Sequence, residues 1–344
     1  KQVMGKDKLG YLTSIDMLRG LAAIAVCYFH FTHGNPNLLA ESNLLYKTGR
    51  YGFLGVDVFF VISGFVIPYA MHRANYNIRN IGTFLSKRFI RIEPPYLLSI
   101  ILVLFLNWLS TLFPFYRGAL FNIDFTVLFL HLGYLNAFFD FPWFNDVYWT
   151  LAIEFQYYII IALVFPLLIS KNKKYAFIFL ALFGLSGFYI GQHSFIFNYS
   201  LLFIVGILLF QFRIGYLSKS EFGTLLLITL MLIFAKFDKR YLIAALLPYF
   251  FITYFEYSGR ISRFLGNISY SLYLVHIPIG GRIINLTENF VHHPLVRDLM
   301  VFVALAISIF AAWLFFLLIE KPAITWSKNF KYKNHHPNET ALEH

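Results

Sequence analysis

The sequence predicts an all-α, polytopic membrane protein with about ten transmembrane helices and both termini in the cytoplasm. Hydrophobic residues make up 59% of the chain and charged residues only 13%, with mean hydropathy +0.65, well outside the soluble globular range. The apolar residues fall into runs of membrane-spanning length separated by short polar breaks. Lysine and arginine collect in alternate breaks, as the positive-inside rule requires of a multi-span chain.

Lys1 to Tyr11 is polar and the first apolar run is long enough to stay as a span, so no cleavable signal peptide is expected. The expected spans are 13–33, 52–72, 94–113, 145–169, 175–192, 197–212, 221–236, 241–257, 265–286 and 296–319. With the N-terminus inside, the cytoplasmic segments hold 19 of the 28 Lys and Arg residues, from Lys1, Lys6 and Lys8 to Lys328, Lys331 and Lys333. The net charge of +11 is therefore topological, and nucleic acid is not an expected partner. The run from Phe125 to Phe139 is too short to cross and reads as an interfacial or re-entrant helix on the outer face. The expected organisation is one membrane domain over 9–322 and a basic cytoplasmic tail over 323–344, where Leu342 to His344 read as the start of an appended tag.

The chemistry starts on the first span. Arg19 and His30 are eleven residues apart, which at 100° each returns to within about 20° of one face. They lie roughly 16 Å apart along the axis, about half a bilayer core. Two ionisable groups on one intramembrane face mark a path or pocket. A neutral His30 can take a hydroxyl proton and return it to a leaving group; otherwise it is a structural histidine bonded to a neighbouring helix. Cys27, one turn earlier, is an acyl carrier only in principle and an ordinary buried residue by default. As a lone cysteine it excludes an internal disulfide and a cysteine-based metal site.

Glu154, in WTLAIEFQYY, is costly in lipid unless paired, protonated or facing a polar cavity. It either orients His30, as the third member of a catalytic triad does, or partners an arginine or a tyrosine hydroxyl. Asp57 opens the second span near the outer surface, and Asp16 lies three residues before Arg19, where pairing along the helix is the simplest expectation. His276, halfway along the ninth span, is either structural or a substrate contact. His292 and His293 have no third ligand nearby, so no metal is expected. The largest inner loop, FLSKRFIRIEPPY, puts Arg88 and Arg91 on one helical face beside Lys87, a set able to hold phosphates or simply to anchor the loop. No phosphate-cradling glycine motif is present, so an NTPase is unsupported.

Five segments in order, IDMLRGLAAIAVCYFH, GFLGVDVFFVISGFVI, the Arg88-x-x-Arg91 pair, WTLAIEFQYY and NISYSLYLVHIP, resemble the signatures of bacterial acyltransferase family 3, the integral membrane O-acyltransferases. The resemblance covers almost the whole chain. It implies a ten-helix domain in the bacterial inner (plasma) membrane that moves an acyl group, usually acetyl, from cytosolic acetyl-CoA to a hydroxyl of a carbohydrate or glycolipid. On matching positions it makes His30 the catalytic histidine, Arg19 its partner, Arg88 and Arg91 a donor-side motif and Glu154 part of an outer-half motif. Some relatives carry an added soluble esterase-like domain; here a second transfer step is expected to fall to another protein. The main rival is a transporter or flippase of a polar lipid or glycan, since buried His, Glu and Arg also mark translocation paths. Membrane lipids are expected neighbours, and a homo-oligomer is compatible with the sequence.

Overall fold

A computed structural model describes residues 13–114, 116, 118, 120–255 and 259–332. Among these the chain is all-helical, with no strand. The helices are α1 (Thr13–His33), α2 (Leu44–Gly49), α3 (Gly55–Arg73), α4 (Ile81–Thr111), α5 (Phe125–His131), α6 (Asn136–Phe139), α7 (Tyr148–Leu168), α8 (Lys173–Tyr189), α9 (Ile196–Arg213), α10 (Lys219–Lys236), α11 (Lys239–Tyr254), α12 (Arg260–Val275), α13 (Arg282–Phe290), α14 (Pro294–Phe315) and α15 (Lys321–Ser327). Wider π-helical turns, His276–Gly281 and Phe316–Glu320, join α12 to α13 and α14 to α15.

Six helical stretches among the described residues are long and apolar enough to cross a membrane: Ser14–His33, Leu44–Arg73, Ile78–Thr111, Tyr148–Leu168, Ile196–Arg213 and Pro294–Ser327. The other four expected spans are helical but shorter or more polar. α8 and α11 have 17 and 16 residues, α10 carries Lys219, Glu221 and Lys236, and α12 opens with Arg260 and Arg263. Lys1, Lys6, Lys8, Lys333 and Leu342 to His344 lie outside the described residues.

Two expectations need correction. The supposed inner loop FLSKRFIRIEPPY is not a loop. α4 begins at Ile81, after a turn capped by the Asn77 side chain, and runs through Pro94 and Pro95 without a break. Arg88 and Arg91 therefore sit on a rigid element, while the backbone groups freed by the prolines are tolerated within a packed membrane helix. The expected tail from 323 is also not free at its start: Ala323 and Ser327 on α15 are buried, and Tyr332 packs edge-on against Tyr76.

The segment over 125–139 folds as two short helices around a buried tip. Leu130, His131, Tyr134, Asn136 and Ala137 are buried, whereas Phe125, Phe129, Phe138 and Phe139 are exposed. The tip is held tightly enough to keep Tyr134 at φ 57°, a costly conformation for a bulky residue. Its hydroxyl donates to Glu93 Oε2 at 3.0 Å and its ring stacks on Tyr96. His131 is satisfied on both nitrogens, by the Val127 carbonyl at 2.7 Å and the Phe144 N–H at 3.1 Å, and is structural.

The centre of the bundle rests on a crossing of α3 and α9 made by small residues. A Cβ on Gly206 would lie 2.2 Å from the Val61 carbonyl oxygen, and one on Gly64 would lie 2.3 Å from the Phe203 carbonyl oxygen. Lipid tails are as apolar as leucine, so close backbone packing of this kind holds membrane helices together. Gly206→Val is expected to push α3 and α9 apart and cost on the order of 1–3 kcal/mol or more. A thermal melt in detergent with wild-type stability would refute this.

Candidate active site

Two cavities lie end to end along α1. The first, about 140 Å³, is lined by Ile15 and Arg19 near the start of α1, Arg88 and Arg91 from α4, Glu154 and Tyr158 from α7, and Glu320 from the second π-turn. The second, about 280 Å³, lies by the other end of α1 and is lined by His30, Asp57, Asp146, Trp149, His193 and Tyr241 among others. Val56 and Tyr273 line both cavities and form the wall between them. The Tyr273 hydroxyl is held in that wall by the Thr150 hydroxyl at 2.8 Å and by the Val147 carbonyl at 3.3 Å.

The first cavity gathers three guanidinium groups and two carboxylates. The Arg88 guanidinium lies over the rings of Phe84 and Tyr158, at 5.3 and 5.5 Å from their centroids, so cation–π contacts fix it without consuming its hydrogen-bond donors. Tyr158 donates a short hydrogen bond to Glu154. Glu320 accepts from the Ser271 hydroxyl at 2.5 Å and the Ser271 N–H at 3.2 Å, and the charges of Arg19 and Arg91 reach it. Among the described residues no ion pair ties Arg19, Arg88 or Arg91 to these carboxylates. The arginines' donors stay available to an anionic ligand.

In the second cavity the hydrogen bonds around His30 determine its tautomer. His276 Nδ1 faces the carbonyls of Leu272 and Tyr273, at 3.1 and 2.8 Å. Carbonyls only accept, so Nδ1 of His276 carries the proton and the neutral ring offers the Nε2 lone pair. That nitrogen lies 3.1 Å from His30 Nδ1, which also faces the Val26 carbonyl at 3.0 Å. His30 Nδ1 must then be the donor to both, and the lone pair of His30 falls on Nε2. Among the described residues no protein group bonds that atom. The π-turn that begins at His276 supplies the geometry: Pro278 cannot donate an N–H, so the helix opens by a residue here, and such turns cluster at functional sites. Arg282 secures the turn by donating to the Pro278 carbonyl at 2.6 Å.

α3 brings Asp57 to the same cavity because its first turn presses on α1. A Cβ on Gly55 would lie 2.5 Å from the Ala22 carbonyl oxygen, and only a glycine allows that approach. Asp57 is 3% exposed. Asp146, at the mouth of the cavity, is a carboxylate whose charge reaches His30.

Several sequence expectations change here. Glu154 does not orient His30: it sits on the arginine side of the wall, bonded to Tyr158, and the partner of His30 is His276. Asp16 is buried against Gly266 on α12, and Arg19 turns into the first cavity. Lys87 does not join Arg88 and Arg91, because its ammonium lies over the Tyr332 ring, 5.3 Å from the centroid, one residue round the helix from the cavity face. Cys27 is fully buried and lines neither cavity. Among the described residues no group of three His, Cys, Asp or Glu side chains is placed to hold a metal ion. Glu320, Asp146 and His193 were missed. Glu320 could have been noticed as an acid closing an apolar span, and Asp146 as an acid just before the Trp149 segment. His193 left no local signal.

Membrane-length helices thus enclose a cationic cavity next to a second cavity with a histidine whose tautomer its neighbours set. The family model described as "Acyltransferase domain" matches residues 12–319, and the chain belongs to this family. It is 30% identical to the O-acetyltransferase OatA of Staphylococcus aureus strain NCTC 8325 over 172 residues, 47% of this chain and 26% of that protein. It is 30% identical to the peptidoglycan O-acetyltransferase OatA of Listeria monocytogenes over 160 residues, covering 44% of this chain and 23% of that protein. A match to "Putative O-acetyltransferase SAR0937" of Staphylococcus aureus strain MRSA252 is 24% identical and covers 94% of this chain and 60% of that protein. The chain thus spans about a quarter of the length of the OatA relatives it matches. No solved structure matches it.

Proposed function

We propose that this chain is a membrane O-acetyltransferase that takes acetyl from acetyl-CoA in the arginine-lined cavity and delivers it to a carbohydrate or glycolipid hydroxyl in the His30 cavity. One observation carries the reading: the two cavities adjoin at the Val56–Tyr273 wall, with phosphate-type donors on one side and a base on the other. In this reading the CoA diphosphate is held by Arg88 and Arg91, with Arg19 further along the thioester's path. The pantetheine arm extends past the wall toward His30. His30 Nε2 takes the acceptor hydroxyl proton as the oxygen attacks the thioester carbonyl. The tetrahedral intermediate then expels CoA thiolate, which takes the proton back from His30. The imidazolium formed in between is stabilised by the His276 lone pair and by the Asp146 charge. The arginine-lined cavity faces the cytosol, as the positive-inside count implies, in a domain of about ten spans with both termini inside and set in the bacterial inner membrane.

The direct test is turnover of labelled acetyl-CoA by purified protein in nanodiscs, with and without glycan acceptors. Binding of CoA with His30-dependent acetyl release supports the enzyme. Absence of CoA binding by folded protein refutes the donor site and favours transport.

His276 is a positioning residue in this scheme. His276→Leu removes the acceptor that faces His30 Nδ1. It is expected to lower kcat by between about 10- and 150-fold, the value of one hydrogen bond to a charged group, with the KM for acetyl-CoA unchanged. His276→Gln, whose amide oxygen can accept from Nδ1, should restore part of the loss. A fall in kcat equal for Leu and Gln would show that His276 only fills space.

A further inference from the structure

The second cavity holds more than a base needs. Asp57 is 3% exposed and lines it, and among the described residues no side-chain hydrogen bond reaches its carboxyl. Tyr199, Tyr241 and Tyr273 face it from α9, α11 and α12, and none of these hydroxyls donates to it. A carboxyl that faces a cavity and takes no side-chain donor is free to bond a hydroxyl from outside the protein.

The remaining lining gives the shape and charge of that donor. Phe29, Phe53, Trp149 and Tyr241 supply aromatic walls, and His30, His193, Asp57 and Asp146 are the ionisable side chains. No lysine or arginine lines this cavity, in contrast to the three arginines beyond the wall. An exposed carboxylate, Asp146, with no cation in the lining disfavours an anionic group, while the Asp57 carboxyl can bond a hydroxyl. A volume of about 280 Å³ is at the low end for small-molecule pockets, room for one ring with the rest of a longer molecule outside.

Building on the acyltransferase reading, we infer that the His30 cavity is a subsite for a neutral polyhydroxylated ring, with Asp57 accepting a hydrogen bond from a hydroxyl other than the one acylated. Asp57 thereby sets which hydroxyl reaches His30 Nε2, while the cation-free lining with Asp146 at its mouth selects neutral sugars over uronates and phosphate esters. It is a specificity-determining residue, and it takes no part in moving the proton.

The test uses the whole chain in nanodiscs with acetyl-CoA and a panel of methyl glycosides of glucose, galactose, mannose and N-acetylglucosamine. Methyl glucuronide and glycerol phosphate are the anionic counterparts. The expected result is saturable acetyl transfer to at least one neutral glycoside and a KM at least tenfold higher for the uronate. Asp57→Asn should raise the KM for the preferred glycoside at least tenfold and change which of its hydroxyls is acetylated, a change of preference that mere loosening of the fold would not give. Equal or better use of the anionic probes by wild type, or no saturation by any glycoside, overturns the subsite. Absence of His30-dependent acetyl release from acetyl-CoA alone refutes the acyltransferase reading instead. In that case quenching of tryptophan fluorescence by the same panel, lost in Trp149→Phe, still decides the subsite: neutral over anionic supports it, and no quenching or the reverse order overturns it.

Discussion

His30→Ala is expected to abolish acetyl transfer while CoA binding and membrane insertion stay intact. General-base catalysis contributes about 10²- to 10⁴-fold, roughly 3–5 kcal/mol of barrier, and His276 cannot take over the role, being tied through Nδ1 to two carbonyls and through Nε2 to His30. The loss should fall on kcat, because the side chain meets the acceptor proton only as the bond forms. His30→Ala also leaves His276 Nε2 without its donor, so stability should be followed by thermal melt alongside turnover. A variant that keeps more than about a tenth of wild-type transfer would remove His30 from the mechanism.

The second large effect is on the donor. Arg88→Ala with Arg91→Ala should raise the KM for acetyl-CoA on the order of 10²-fold, since each guanidinium–phosphate bond contributes about 1.5–3 kcal/mol and part of it is lost to solvent exchange. Lys87→Ala provides the contrast. Its ammonium lies against Tyr332 outside the cavity, so donor KM should stay within about twofold, in the range of an ordinary surface change. If Lys87→Ala and the double arginine variant behave alike, the phosphates are held by diffuse positive charge at the mouth, and the cavity is not the donor site.

The comparison of sequence with structure is clearest residue by residue. The Arg19–His30 spacing was legible because a helix converts eleven residues into a fixed angle and rise, and α1 spans Thr13–His33 as expected. The hydropathy runs were legible for the same reason, since membrane thickness sets the length of a span. The role of Glu154 was not legible. It depended on which side of the Val56–Tyr273 wall the middle of α7 lies, and that follows from how α7 packs on α3 and α4. Lys87 and Arg88 are neighbours in sequence, yet one side chain meets Tyr332 and the other a cavity, because successive helical residues point about 100° apart.

The sequence by itself determined the membrane class, the places of the long apolar helices, the family and the candidate groups His30, Arg19, Arg88, Arg91 and Asp57. Each of these is set by local periodicity, composition or a short motif. Only the tertiary structure decided that His276 bonds His30 across 246 residues, that Glu320 lines one cavity with Arg19, and that two cavities share one tyrosine wall. Those relations join helices far apart in the chain. Their physical basis is helix packing through small residues such as Gly55, Gly64 and Gly206, where the backbones approach closely enough to bring distant side chains to one place.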